Sequence, residues 1–128
     1  MKPSIFLFGE AEKGEFGIPF LCDSLPMLCE ALGEPPPESQ GIHYAIQTLL
    51  YDRSVLFYRV QEEGFSTKDY LKGLYLLQKS SSIPSGLALC LPGVGDEEIL
   101  DEATKICSLR KSFLVLTEKD LYDYLSNP

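Results

Sequence analysis

The chain has 128 residues, enough for one domain with a substantial core, and its 45% hydrophobic and 23% charged residues are those of an ordinary globular protein, neither disordered nor membrane-embedded. Nineteen acids against eleven bases give a formal net charge of −8 with no basic run, which argues against a nucleic-acid partner and leaves cations or basic partners as what an acidic surface attracts. No apolar stretch reaches the roughly 18 residues needed to span a bilayer, so no membrane partner is expected.

Met1 to Phe8 lacks the basic start, long apolar region and small-residue cleavage site of a secretory signal, so a cytoplasmic location is expected. Cys22, Cys29, Cys90 and Cys107 sit among apolar residues and form no Cys-x-x-Cys pair, which removes a zinc knuckle and a redox motif and predicts buried free thiols.

Four continuous apolar runs, Ile5 to Phe8, Val55 to Val60, Leu87 to Leu91 and Phe113 to Leu116, have the pattern of strands covered on both faces. The first helix places Leu21, Leu25, Leu28, Cys29 and Leu32 on one stripe, with Ser24 and Pro26 near its start and Gly33 beyond its end. The segment Glu34-Pro35-Pro36-Pro37 cannot be helical and predicts a stiff extended connection.

After Ser39, the spacing of Ile42, Ile46, Leu49 and Leu50 predicts a helix over 40–51. The same residues also suit a strand over 43–51 paired with 55–60, and the helix is the preferred alternative. Ser66 with Asp69 opens a third helix through Tyr70, Leu71, Leu74 and Leu77, and Ser80 to Gly86 is a polar loop. Asp96, Glu97 and Glu98 begin a fourth helix with Ile99, Ala103, Ile106 and Cys107 inward and Arg110 and Lys111 at its end. Thr117 with Asp120 starts a last helix through Leu121, Tyr124 and Leu125.

The resulting order, β-α-α-β-α-β-α-β-α, predicts a single α/β domain over 1–128. Its expected architecture is three α/β/α layers around a four-stranded, mostly parallel, doubly wound sheet of Rossmann-like or flavodoxin-like type.

Ligands in such sheets gather outside the carboxyl ends of the strands, which directs attention to the loops after the four runs. The first, Gly9 to Gly17, is long and carries three acids, Lys13 and three glycines including Gly14. Glu10, Glu62 and Asp96 are the candidate oxygen ligands for Mg²⁺, since a hard cation takes carboxylates and keeps several waters; solvated loop acids and helix-start charges are the preferred explanation of them. Gly93 and Gly95, in Pro92-Gly93-Val94-Gly95 before a helix, would bring backbone N–H groups toward an anion, although the run matches neither a Walker loop nor a dinucleotide fingerprint and reads as turn chemistry.

Arg59 stands near the carboxyl end of an otherwise apolar strand, and a buried guanidinium needs a partner, for which Glu10 or Glu62 is the expected acid. His43 has no Ser/His/Asp order or metal spacing around it and reads as a surface or packing residue. A dyad of His43 with Cys22 or Cys90 would need contact in space and a lowered thiol pKa. Phe16, Phe20, Phe65, Tyr51 and Tyr75 are candidates for an exposed aromatic patch, with core packing as the ordinary alternative.

The opening Ser4-Ile5-Phe6-Leu7-Phe8-Gly9-Glu10 resembles the first strand and loop of TIR-type and nucleoside-deoxyribosyltransferase-type domains. The resemblance stops there, no motif matches those families' catalytic glutamate, and no residue role follows from it. The carboxylates also lack the Asp-x-Asp pattern of a Toprim domain and the paired aspartates of a receiver domain.

Two functions follow as expectations. The first is a non-catalytic module that binds a protein partner, a second copy of itself or a small molecule, because no nucleophile, base pair or cofactor fingerprint stands out. The alternative is a Mg²⁺-dependent enzyme on a phosphorylated or nucleotide substrate, with Glu10, Glu62 and Asp96 on the metal and Arg59 or Lys13 neutralising the substrate; glycosidic chemistry at Glu10 is a weaker third.

Overall fold

Pro3–Gly9 forms β1, whose side chains point alternately to two covered faces. Ile5 and Leu7 join one buried cluster and Phe6 and Phe8 the other, all four without solvent contact. Two-sided burial is why this run is continuously apolar instead of alternating. The computed structural model describes residues 3–127; Met1, Lys2 and Pro128 lie outside that range, and with them the first two positions of the amino-terminal stretch and the last of the predicted domain.

The other strands are β2 (Phe20–Cys22), β3 (Ser54–Arg59), β4 (Ala88–Cys90) and β5 (Phe113–Val115), in the sheet order β2-β3-β1-β4-β5. β1 pairs in parallel with β3 and β4, and β4 with β5, whereas β2 runs antiparallel to β3. The helices are α1 (Leu25–Leu32), α2 (Gly41–Leu50), α3 (Thr67–Lys79), α4 (Glu97–Arg110) and α5 (Glu118–Ser126). Residues of α1, α2 and α5 pack on the face of Ile5 and Leu7, and those of α3 and α4 on the face of Phe6 and Phe8. None of the described helices is long and apolar enough to cross a membrane.

The sheet therefore has five strands among the described residues, not four. The added strand is β2, and Leu21, expected on the first helix's inner stripe, lies within it and is 43% exposed. The reason is the cap: Ser24 Oγ accepts the N–H of Met27 and Pro26 occupies the first turn, so α1 cannot extend back to Leu21. Its carboxyl end is as expected, with Gly33 at positive φ and its N–H on Cys29 O at 3.0 Å.

Of the two alternatives for 40–51, the helix is the one formed. Apart from β2 the element order is the predicted one. Ser66 occupies the cap position of α3, but its hydroxyl closes the preceding loop instead: it accepts the N–H of Glu62 at 3.1 Å and donates to Glu62 O at 3.0 Å. Arg110, expected to favour the end of α4 by charge alone, also donates to the carbonyls of Ser80 and Ile83 and so ties down the polar loop before β4.

Candidate functional site

The carboxyl ends of β1 and β3 are joined by two glutamates. The N–H of Glu10 donates to Glu63 Oε1 at 3.0 Å, and the N–H of Glu63 donates to Glu10 Oε2 at 2.9 Å. The Glu63 carboxylate also takes the N–H groups of Gln40 at 2.6 Å and Gly41 at 2.9 Å, the first free donors of α2. It occupies the place at the helix amino terminus that an anion would otherwise take.

Close backbone approach makes this possible. A Cβ on Gly41 would stand 2.8 Å from both Glu63 Oε1 and the Cα of Gly9, so neither glycine has room for a side chain. Gly64, at φ +89, turns the chain so that Glu63 faces inward, and its N–H donates to the buried Tyr70 hydroxyl at 2.7 Å. Burial, opposed by the three N–H bonds and assisted by the Glu10 charge, raises the Glu63 carboxyl above its ordinary value.

This arrangement redistributes the candidate acids. Glu63, which sequence reasoning missed, partners Glu10, while Glu62 is exposed on the outer side of the loop. Asp96 caps α4, with Oδ1 accepting the N–H of Ile99 at 3.1 Å. No three His, Cys, Asp or Glu side chains among the described residues group as a metal site, so Glu10, Glu62 and Asp96 are not brought together as a ligand set for Mg²⁺. Gly93 is at φ +78 in a turn closed by the N–H of Val94 on Leu91 O, Gly95 is exposed, and the carbonyl of Gly93 lies so close to Gly64 that a Cβ there would be 2.6 Å away. Gly64 thus lets the loop after β3 pack against the Gly93 carbonyl of the loop after β4, and Gly95 takes no part.

Arg59 has a different partner from the acid expected. Its Nη1 donates to Gly14 O at 2.5 Å, its Nη2 to Ala11 O at 3.0 Å, and the guanidinium lies 4.2 Å from the centre of the Phe16 ring. Neither Glu10 nor Glu62 pairs with it; Glu10 is already committed to Glu63. The buried Nε has no hydrogen-bond partner among the described residues. Arg59 thereby holds the loop after β1, which the N–H groups of Glu12 and Lys13 also fasten to Leu32 O. Lys13 itself is exposed.

Beneath this loop lies an apolar pocket of about 220 Å³ lined by Ile18, Pro19, Phe20, Leu32, Phe57 and Arg59, among others. It opens beside β2, the edge strand of the sheet, where Phe16, Ile18, Leu21, Leu25 and Met27 are all exposed. The aromatic candidates do not share one patch: Phe16 covers Arg59, Phe20 packs partly into the core, Tyr51 ends α2, Phe65 is on the loop before α3 and Tyr75 is on α3.

A second cleft, of about 390 Å³, is lined by Gln40, His43, Tyr44 and Gln47 from the amino-terminal part of α2 and by Glu118 at the start of α5. His43 is an exposed lining residue here rather than a packing one. Of the cysteines, Cys29 is exposed, against expectation, because it falls on the outer side of α1, whereas Cys22 and Cys90 are buried. Burial raises both buried thiols, and Cys90 most, which is the opposite of what a thiolate nucleophile requires.

An α/β domain with a mostly parallel five-stranded sheet is the class these observations define. No family model, no curated protein and no solved structure matches the chain.

Proposed function

We propose that the protein is a non-catalytic binding module that recognises a basic polypeptide segment along the free edge of β2. The observation that carries this reading is the coincidence, in one stretch of chain, of an unpaired strand edge, exposed Ile18 and Leu21, an adjoining apolar pocket and concentrated negative charge. Residues 10–38 hold seven acids and one base, a net −6 of the chain's −8.

An edge strand offers main-chain N–H and C=O groups to an added strand, and a neighbouring apolar pocket takes one of its alternate side chains. The acidic rim supplies attraction for Lys and Arg on the remaining positions. We also read the four parallel strands as a flavodoxin-like arrangement with β2 added at one edge; numbered by themselves they run 2-1-3-4.

The test is fluorescence polarisation of a labelled peptide of alternating Lys and Leu against its Glu and Leu counterpart. The reading expects saturable binding of the basic peptide alone, weakened about tenfold by Ile18→Glu and by raised salt. Equal binding of the two peptides, or of the wild-type protein and Ile18→Glu, would discard it. Self-association that Ile18→Glu abolishes, without peptide binding, would replace the partner by a second copy.

A further inference from the structure

We infer that the cleft between the starts of α2 and α5 is a binding site for a small organic ammonium compound, with Glu118 as its counter-charge and Tyr44 as a hydrogen-bond partner. The cleft lies at the carboxyl ends of the parallel strands, on the sheet face that carries α2 and α5. That is the end of an open parallel sheet where ligands are bound, because strand connections diverge there and leave a crevice.

Tyr44 points to a ligand independently of the charge. It is only 4% exposed, it lines the cleft, and its hydroxyl makes no hydrogen bond among the described residues. Its ring is buried while its hydroxyl is not among the polar atoms shut off from solvent, so the hydroxyl is left to hydrogen-bond with what enters the cleft.

The lining decides what kind of partner. Gln40, Gln47, Tyr44 and Glu118 offer amide oxygens, a phenol oxygen and one carboxylate, and no lysine or arginine is among the lining residues. The N–H groups of Gln40 and Gly41, the natural anion-binding donors here, are already taken by Glu63. On the α2 side of the cleft an anion would therefore meet the Glu118 carboxylate with no free helix donor to offset it, which disfavours phosphate there. Burial above all, then Cys90 and the charges of Glu118, Glu63 and Asp120, push the Tyr44 phenol up to about 12.

A metal ion fits poorly, since one carboxylate with neutral oxygens is a weak set for a hard cation. A protonated amine fits well: its three N–H donors match one carboxylate and two neutral oxygens. The volume of about 390 Å³ lies in the range of small-molecule sites.

The experiment is an NMR titration of the full chain with putrescine, with the corresponding uncharged diol, and with inorganic phosphate, repeated on Glu118→Gln and Tyr44→Phe. The proposal expects saturable shifts at the amides of His43, Gln47 and Glu118 with the diamine only. It expects binding about tenfold weaker in Glu118→Gln and several-fold weaker in Tyr44→Phe, whose amide spectrum reports that the fold is kept. Binding of the diol as tight as that of the diamine, binding of phosphate, diamine shifts elsewhere on the acidic surface, variants with unchanged affinity, or no saturation by about 10 mM would each overturn it.

Discussion

Glu10 and Glu63 each accept the other's main-chain N–H, at 2.9 and 3.0 Å, and so clasp the end of β1 to the loop between β3 and α3. The Glu63 carboxylate extends the clasp to α2 through Gln40 and Gly41. One side chain thus satisfies donors from two segments distant in sequence.

Replacing Glu63 by Ala leaves the N–H groups of Glu10, Gln40 and Gly41 without their acceptor. Unfolding in urea should show a loss of about 1–3 kcal/mol, the scale of unsatisfied donors and a lost helix cap. A loss below a few tenths of a kcal/mol would mean that water replaces the carboxylate freely.

The same residue gives a pH dependence whose sign is fixed. Its carboxyl is raised in the folded state, so the native protein holds that proton more tightly than the unfolded chain. The associated stability is present below the ordinary glutamate value of 4.5 and is lost as pH rises through the raised folded value. Carbon-detected NMR should find Glu63 titrating above the ordinary value, and the stability difference between wild type and Glu63→Gln should shrink as pH rises through that window.

Gly73 sits on α3 against the aromatic cluster. A Cβ there would overlap Phe8 Cε2 and stand 2.9 Å from Phe8 Cζ and Tyr58 Cε1, all on fully buried rings. The Phe8 ring lies 5.2 Å from the Tyr58 ring and 5.2 Å from the Tyr70 ring, which leaves it little freedom to retreat. Gly73→Ala gains about 1 kcal/mol of helix propensity but overpacks the core by about 1–3 kcal/mol, so a net fall in melting temperature is expected. A rise would show that the cluster repacks easily.

Arg59→Met keeps an unbranched apolar stem but removes both bonds to Ala11 O and Gly14 O and the contact with Phe16. Hydrogen exchange of amides in residues 11–17 should accelerate while exchange in β1 and β3 changes little. Unchanged exchange in the loop would assign its order to the Leu32 carbonyl instead.

Thiol titration of the native protein with a disulfide reagent should modify Cys29 quickly, since it alone is exposed. Cys107, half-buried and pushed up to about 11, should follow slowly, and Cys22 and Cys90 only on unfolding. Rapid reaction of Cys90 would contradict its burial.

What the sequence determined by itself was local. Continuous apolar runs mark the four parallel strands, because a strand covered on both faces needs apolar residues at every position, and Ser24, Asp96 and Thr117 mark helix starts, because a cap acts within three residues of itself. The fifth strand was hidden because β2 is only three residues long and Leu21 coincides with the period of the helix that follows it. Tertiary structure alone decided that Glu63 and not Glu62 turns inward, since the choice rests on the turn at Gly64 and on the Tyr70 hydroxyl that receives its N–H. It also decided that Arg59 binds main-chain carbonyls in place of an acid, and that Tyr44, Gln47 and Glu118 border one cleft: contacts between residues far apart in the chain depend on strand order and loop path, which no local pattern encodes.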